Sequence, residues 1–244
     1  MNLATNKTVR ELAIEIPAAT RVFEKMGIDY CCGGKRSLAD ACAVAGVTLE
    51  DVKRELTATS HLEGEEPNFL TATLEGLIDH IVGKHHSFTR LEIARLNSLF
   101  EKVCAAHAEN HPELLRINVL FRELGADLDT HMAKEERVLF PYLVRMEASA
   151  KQNVPLFRPP FGTVANPVRM MMLEHDRAGE LLKEIRALSA DYVPPTDACF
   201  SYHTLYSALE ALEKDLHQHI HLENNILFPR AVEMEPVAEA VPVS

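Results

Sequence analysis

The sequence predicts an all-α protein in which a small N-terminal helical module precedes a four-helix bundle. Apolar residues recur at helical spacing through most of the chain. Glycine is scarce, at 10 of 244 residues, and no Asn-Gly or Asp-Gly turn separates alternating apolar runs, so β-hairpin signals are missing. Apolar residues make up 47% of the chain, which is enough for a sizeable core.

Capping signals divide the N-terminal part of the chain into short helices. Three capping boxes or close variants indicate helix starts, at Thr8 with Glu11, Ser37 with Asp40, and Thr48 with Asp51. Pro17 is suited to the first turn of a second helix, and Gly27 and Gly46 are suited to helix ends. We therefore expect four short helices here.

The chain is predicted to contain four segments. These are the N-terminal module at 1–58, a polar, acidic linker at 59–69, the bundle at 70–234 and a flexible tail at 235–244. Within the bundle, proline-containing stretches near 147–166 and 189–197 predict loops between helices.

The bundle segment contains an internal repeat. Residues 131–141 and 219–229 both read H-x-x-x-E-x-x-[VI]-L-F-P, and each has another histidine, His86 or His175, 45 or 44 residues upstream. The repeated unit is therefore a helix with one histidine, a connection, and a helix with the His-x-x-x-Glu motif. Two such hairpins make a four-helix bundle with an approximate twofold axis.

The repeated histidines and glutamates are predicted to bind two metal ions. A His and a Glu four residues apart lie on one face of a helix. Burying an unpaired carboxylate in the bundle core would cost several kcal/mol, and a cation removes that cost. The six predicted ligands are His86, His131, Glu135, His175, His219 and Glu223. The alternative is a layer of hydrogen-bonded polar residues without a metal.

The composition of this ligand set suits two octahedral ions, which offer twelve positions. Four histidines fill four positions, two bridging carboxylates fill four and a bridging oxide or hydroxide fills two, so two remain open. Imidazole with carboxylate favours iron and is compatible with manganese or zinc. The set contains no thiolate, which disfavours a structural zinc site.

The first ligand belongs to an adjacent histidine pair. His85 and His86 would point about 100° apart on an α-helix. Apolar residues upstream place His85 inward, whereas those downstream, and the matching pattern after His175, favour His86. A deviation of the helix at Gly83 would reconcile the two patterns.

Cys31 and Cys32 begin a second unusual motif, Cys-Cys-Gly-Gly. The glycines allow backbone conformations that other residues avoid, and the adjacent cations Lys35 and Arg36 would lower a thiol pKa. The motif fits a redox, metal-contacting or partner-facing pair, and it also fits an interhelix turn that contains cysteine.

The remaining cysteines and histidines are predicted to be structural. Small buried hydrophobic positions are assigned to Cys42, Cys104 and Cys199. Surface or hydrogen-bonded polar positions are assigned to His61, His80, His107, His111, His203, His217 and His221. Glu174 and Asp176 flank His175, and each is suited either to hydrogen-bond a metal ligand or to remain a solvated charge.

Composition and charge argue against several function classes. A formal net charge of −11 without a long Lys/Arg run argues against a general nucleic-acid-binding protein. No stretch approaches the roughly 18 apolar residues of a membrane helix, and the N-terminus lacks the apolar core of a signal peptide. Five unevenly spaced cysteines do not indicate a disulfide framework. We expect a cytoplasmic protein without membrane contact.

Two motifs together resemble a known family. The repeated H-x-x-x-E-x-x-[VI]-L-F-P motif with its upstream histidines resembles the hemerythrin-like domain, and DYCCGGKRSLADAC resembles the cysteine-bearing module of the ScdA-type iron–sulfur cluster repair proteins. The resemblance covers about residues 8–231. It implies a hemerythrin-like bundle holding two non-haem irons at the six ligands named above, with Glu135 and Glu223 as the bridging carboxylates.

The resemblance also implies a function. Such proteins help to restore iron–sulfur clusters damaged by nitric oxide or peroxide, so the partners would be damaged iron–sulfur proteins supplied with labile iron. Cys31 and Cys32 match the family's cysteine pair and would act in redox chemistry or iron transfer. Members are often dimeric, which implies a homodimer. The alternatives are a sensor or carrier of nitric oxide or O₂, and an enzyme that reduces nitric oxide; all would use the same ligands.

Overall fold

The computed structural model of the chain describes residues 7–16, 18–59, 69–154 and 159–235. The regular structure in these ranges is helical, apart from an isolated bridge between Thr8 and Ser37, which confirms the predicted all-α class. None of the described helices is long and apolar enough to cross a membrane. The predictions for Pro17, His61, most of the linker and nearly all of the tail concern residues outside these ranges.

Four short helices form the N-terminal module. They are α1 (Val9–Glu15), α2 (Ala19–Lys25), α3 (Leu38–Ala45) and α4 (Leu49–Thr59). Their apolar faces meet in a core of their own, which includes the fully buried Phe23 and the almost fully buried Tyr30. Burial of this apolar area is the main source of the module's stability.

The predicted caps of this module are confirmed. Thr8 and Glu11 form a reciprocal capping box at the start of α1. Ser37 and Thr48 each accept a hydrogen bond from the backbone N–H three residues later, at 3.1 Å. Gly46 ends α3 with a φ of 71°, which a residue with a Cβ rarely adopts.

Four long rods form the bundle, and a π-helical turn interrupts three of them. The first rod comprises α5 (Leu74–His80), π1 (Ile81–His86) and α6 (Ser87–His107). The second comprises α7 (Glu113–Lys134), π2 (Glu135–Leu139) and α8 (Phe140–Gln152). The third is α9 (Ala165–Leu188), and the fourth comprises α10 (Phe200–His221), π3 (Leu222–Leu227) and α11 (Phe228–Met234).

A polar layer divides the apolar interior of the bundle into two clusters. α6 packs against α10, and α7 packs against α9 and α6. One cluster fills the half that contains Phe100 and Phe121, whose ring centroids lie 5.2 Å apart. The other fills the half that contains Phe140 and Phe228. The repeated histidines and glutamates lie between the two clusters, where apolar side chains keep water away on both sides.

The π turn in the first rod explains the adjacent histidines. Gly83 lies within π1, where the sequence predicts a deviation of the helix. The turn changes the angular spacing of side chains, so that His85 and His86 are both almost fully buried. The Nδ1–H of His85 donates to Asp215 on α10 at 3.0 Å, and His86 enters the polar layer. Both apolar patterns were therefore informative, one for each residue.

The predicted burial of the remaining cysteines is wrong at one position. Cys42 is buried and Cys104 is half-buried against the core. Cys199 is exposed because it immediately precedes α10, outside the stretch of helical apolar spacing.

One histidine, His111, contacts two carboxylates and so ties the loop before α10 to the start of α7. His111 lies 3.0 Å from Asp197 through Nε2 and 3.2 Å from Glu113 through Nδ1. The hydrogen bond with Asp197 raises the pKa of His111, although desolvation lowers it.

We expect this contact to give a pH-dependent stability. Because the folded pKa of His111 is raised, its contribution is complete below the unfolded value of about 6.5 and is lost as pH rises through the folded value. The melting temperature of the wild type should exceed that of His111→Gln by more at pH 6 than at pH 9, measured by circular dichroism. An equal difference at both values would contradict an ionic contact. The comparison with the variant cancels other titrating groups.

Candidate metal centre

The six predicted ligands meet in the polar layer of the bundle. His86 comes from the first rod, His131 and Glu135 from the second, His175 from α9, and His219 and Glu223 from the fourth. All six side chains are at most 3% exposed. His86 ends π1, Glu135 begins π2 and Glu223 lies in π3, so the π turns lie where the ligands lie. Such turns are frequent at functional sites.

The ligand atoms form two groups that could each hold a metal ion. The first group is His86, Glu135, His219 and Glu223, and the second is His131, Glu135, His175 and Glu223. Within each group the ligand atoms lie within 4.8 Å of one another. Both carboxylates belong to both groups, so two ions held there would share them.

Distances within the groups show how the two carboxylates are shared. Glu223 Oε1 lies 2.9 Å from His219 Nε2, and its Oε2 lies 3.1 Å from His175 Nε2. Its two oxygens thus face different groups. Glu135 Oε2 lies 3.3 Å from His131 Nε2 and 3.5 Å from His86 Nε2.

Unpaired buried oxygens in the layer fit a cation. Both oxygens of Glu135 are inaccessible to solvent and have no hydrogen-bond partner among the described residues, and Oε2 of Glu223 is equally inaccessible, with its close contact to Nε2 of His175 failing hydrogen-bond geometry. A buried carboxylate without a donor is strongly disfavoured. Two divalent ions between the shared carboxylates would satisfy these oxygens, so the donor set fits a two-metal site.

The carboxylates also raise the pKa of two of the histidines. Burial lowers the pKa of His86 and His175, but the nearby carboxylates of Glu135 and Glu223 outweigh burial and raise the values to about 10 and about 9. For Glu223, burial raises the pKa, but the surrounding histidines outweigh burial and hold it well below its usual range. Cations and protons therefore compete for the same nitrogens.

Three of the predicted ligand histidines are held from outside the centre. The Nδ1–H of His86 donates to Glu136 at 2.7 Å, and that of His131 donates to Glu174 at 2.9 Å. The Nδ1–H of His175 donates to the amide oxygen of Asn224 at 2.9 Å. A carboxylate or amide oxygen can only accept, so each Nδ1 carries a proton and each Nε2 faces the centre.

Two of these supporting residues were not recognised in the sequence. Glu136 and Asn224 occupy the same position of the repeat, directly after the repeated glutamate. Aligning the two halves could therefore have identified them. Glu174 hydrogen-bonds a predicted metal ligand. This ligand is His131 across the α7–α9 interface and not its neighbour His175. Asp176 lines the cavity beside Cys32.

The N-terminal module docks directly on π3. Asn225 donates from Nδ2 to the carbonyl of Tyr30 at 3.0 Å, and Arg10 donates to the carbonyl of Asn225 at 3.1 Å. Asn224 donates from Nδ2 to the carbonyl of Cys31 at 3.4 Å. Since Asn224 also binds His175, one side chain connects the cysteine loop with a predicted metal ligand.

The Cys-Cys-Gly-Gly loop needs glycine for close packing and not for positive φ, contrary to the sequence interpretation. A Cβ on Gly34 would lie 2.7 Å from the carbonyl oxygen of Tyr30 and 3.1 Å from Cβ of Arg10. Neither Gly33 nor Gly34 has a positive φ. The loop is instead folded around Asp29, which accepts the backbone N–H of Cys32 at 3.0 Å and that of Gly33 at 2.9 Å.

The two thiols of this loop differ chemically. Cys31 donates to the sulfur of Cys32 at 3.8 Å. This contact and burial together raise the pKa of Cys31. The same contact lowers the pKa of Cys32, although burial of that thiol raises it. The neighbouring thiol, and not Lys35 or Arg36, is the main cause of the lowered value. Both cysteines line a cavity of about 620 Å³ between the module and the bundle.

We expect this difference to appear in alkylation. At pH 7 iodoacetamide should modify Cys32 ahead of Cys31, because Cys32 is partly exposed and has the larger thiolate fraction. Peptide mass spectrometry of a time course would assign each site, with the exposed Cys199 as an internal reference. In Cys31→Ala the rate at Cys32 should fall, since the donor to its sulfur is gone. Faster modification of Cys31 in the wild type would contradict the assignment.

Comparisons with known proteins agree with this architecture. Residues 77–231 match the hemerythrin HHE cation-binding domain, and residues 5–60 match the ScdA_N domain, whose function is described as unknown. A probable iron–sulfur cluster repair protein from Haemophilus influenzae is 35% identical over 234 residues, covering 95% of this chain and 99% of that protein. The iron–sulfur cluster repair protein YtfE from Escherichia coli is 35% identical over 222 residues, covering 91% and 94%.

Proposed function

Because this chain belongs to the hemerythrin-like iron–sulfur cluster repair proteins, we propose that it repairs damaged iron–sulfur clusters by supplying iron from a two-iron centre. The observation that carries the proposal is the pair of four-residue groups that share Glu135 and Glu223. Iron is the cargo in this proposal, and the damaged iron–sulfur protein is the partner that receives it.

The donor set supports iron as the metal. Each group offers two imidazole nitrogens and two carboxylates, and this mixture suits iron. The residues that would hold the ions are His86, His131, Glu135, His175, His219 and Glu223. When bound, the irons would supply Lewis-acid and redox chemistry. The bundle excludes water, and Glu136 and Glu174 orient the imidazoles.

The docked cysteine loop favours repair over simple gas binding. The sulfur of Cys32 lies 3.8 Å from the carbonyl oxygen of His175, and Asn224 joins the loop to the same ligand. A carrier or sensor of nitric oxide or O₂ needs only the open positions of the metal centre. A repair protein that passes iron to a sulfur-rich client has a use for thiols beside that centre.

Restoration of a damaged client tests the proposal. Anaerobically purified, iron-loaded protein should restore activity to a dehydratase whose cluster has been damaged by nitric oxide. Glu223→Ala should abolish restoration because it removes a ligand from both groups. The exposed histidine of α10 gives a matched control, since His203→Ala should restore the client as the wild type does.

Other outcomes would decide against repair. Equal restoration by the same amount of free ferrous iron would show that the protein contributes nothing beyond its metal. Catalytic consumption of nitric oxide without client restoration would favour the reductase alternative.

We also propose that the chain acts as a homodimer. Size-exclusion chromatography with light scattering during the same preparation would test this.

A further inference from the structure

The two halves of the metal centre differ in how their histidines are held. In the group of His131 and His175, both outer nitrogens have partners, namely Glu174 and Asn224. In the group of His86 and His219, only His86 has one, through Glu136. The Nδ1 of His219 is buried and has no hydrogen-bond partner among the described residues.

The internal repeat explains this difference. Glu174 directly precedes His175, and the residue that directly precedes His86 is His85, so His85 occupies the position of Glu174 in the other half. The ring of His85 stacks beside that of His219, with centroids 5.9 Å apart and planes 14° apart. Its own Nδ1–H is committed to Asp215. A stacked ring therefore replaces the carboxylate that would hold His219.

Outer hydrogen bonds matter for metal affinity. A partner on the outer nitrogen fixes the imidazole ring and increases its basicity, and removing such a partner typically lowers metal affinity by about 10- to 100-fold. Glu174 is itself held by an ion pair with Lys134, and Glu136 by one with Arg90 at 2.8 Å. These two carboxylates are thus fixed supports, and His219 has no equivalent.

We propose that the ion held by His86 and His219 is the more weakly bound of the two and is the one that the protein gives up. The ion held by His131 and His175 stays in place when the first leaves. The inference rests on the proposed function for its purpose, since a donor needs one ion that it can release. Release is stepwise, and its order is set by His85 and Glu174.

Chelation kinetics test the order of release. Iron-loaded protein is mixed anaerobically with excess ferrozine, while absorbance follows the iron removed and native mass spectrometry follows chains with two, one and no ions. We expect two phases of one ion each, separated by about 10- to 100-fold in rate, with a one-ion species between them. A single phase that removes both ions would overturn the inference.

Exchanging the two repeat positions assigns the phases. In Glu174→His, His131 loses its support, and the slow phase should accelerate toward the fast one. In His85→Glu, a carboxylate becomes available to His219, and the fast phase should slow. Glu184→His on the outer face of the same helix should leave both phases unchanged. If Glu174→His leaves the slow phase unchanged, the inference is wrong, whether or not His85→Glu folds.

Failure of this inference is distinguishable from failure of the proposed function. A protein that restores its client but loses both ions in one phase would support repair and overturn the order of release. A protein that shows two phases but restores no client would support the order and overturn repair. Protein that binds no iron at all would overturn both.

Discussion

Replacing Glu135 by alanine should cost the protein both metal ions, whereas replacing His86 should cost it only one. Glu135 belongs to both ligand groups, but His86 belongs only to the first. Elemental analysis after anaerobic loading with ferrous iron should give about two ions per chain for the wild type, close to none for Glu135→Ala and about one for His86→Ala.

The contrast arises from bridging. Without Glu135, each position keeps two histidines and one oxygen of Glu223, and the negative charge that balances the two cations is halved. A loss of affinity of about 10²-fold or more at each position is expected from removing a charged ligand that acts on both. His86→Ala leaves the group of His131 and His175 complete.

A matched control separates ligand loss from general damage. Glu101→Ala on the exposed face of α6 removes the same chemical group without touching the centre, and it should bind two ions. If Glu135→Ala retained one ion, Glu135 would belong to a single position, and the two groups would not share it.

The six predicted ligands could be selected from the sequence because their motif occurs twice in the chain. The repeat related His86 to His175 and Glu135 to Glu223, and the structure places all six predicted ligands in one layer. Whether each of them binds a metal remains a prediction. The fold class followed from the same repeat and from the scarcity of turn signals.

The outer part of the centre depends on contacts between rods, which spacing along one helix does not specify. The sequence left Glu174 open between hydrogen-bonding a metal ligand and remaining a solvated charge, and the structure places it against His131 on the facing helix. The π turns are a second example. Each turn changes the direction of side chains by a local change in backbone hydrogen bonding. The sequence indicated only the first turn, because the apolar residues upstream place His85 inward and those downstream favour His86.

Docking of the cysteine loop could not be predicted for a related reason. Asn224 and Asn225 contact Tyr30 and Cys31 across nearly 200 residues of sequence, at separations of 193 and 195. Both asparagines lie inside the repeated motif, but at positions where the two halves differ, so the repeat does not indicate that they contact another module. Their burial became informative only once the module lay against π3, where both amides find backbone carbonyls.

Metal binding should raise the stability of the folded protein strongly. An ion present at 100 times its dissociation constant stabilises the native state by about 2.7 kcal/mol, so two ions contribute about 5 kcal/mol. For a chain of this size, 1 kcal/mol corresponds to roughly 2–4 °C. Iron loading should therefore raise the melting temperature by about 10–20 °C, measured by calorimetry against protein treated with chelator.

In the metal-free protein, replacing Glu135 should leave the melting temperature unchanged or raise it. Both oxygens of this buried carboxylate lack hydrogen-bond donors among the described residues, and its nearest histidine nitrogens are 3.3 and 3.5 Å away. Replacing a whole buried ion pair by apolar side chains is often neutral or stabilising, whereas removing one partner is destabilising when it leaves the other charge unpaired. His86 keeps a carboxylate nearby when Glu135 is replaced, because its Nε2 also lies 3.9 Å from Oε1 of Glu223. Metal-free Glu135→Met should therefore melt at or above the temperature of the metal-free wild type, and iron should no longer stabilise it. A clear fall in its metal-free melting temperature would show that ion pairs with His86 and His131 outweigh the desolvation of the carboxylate, and that the site is stable without its metals.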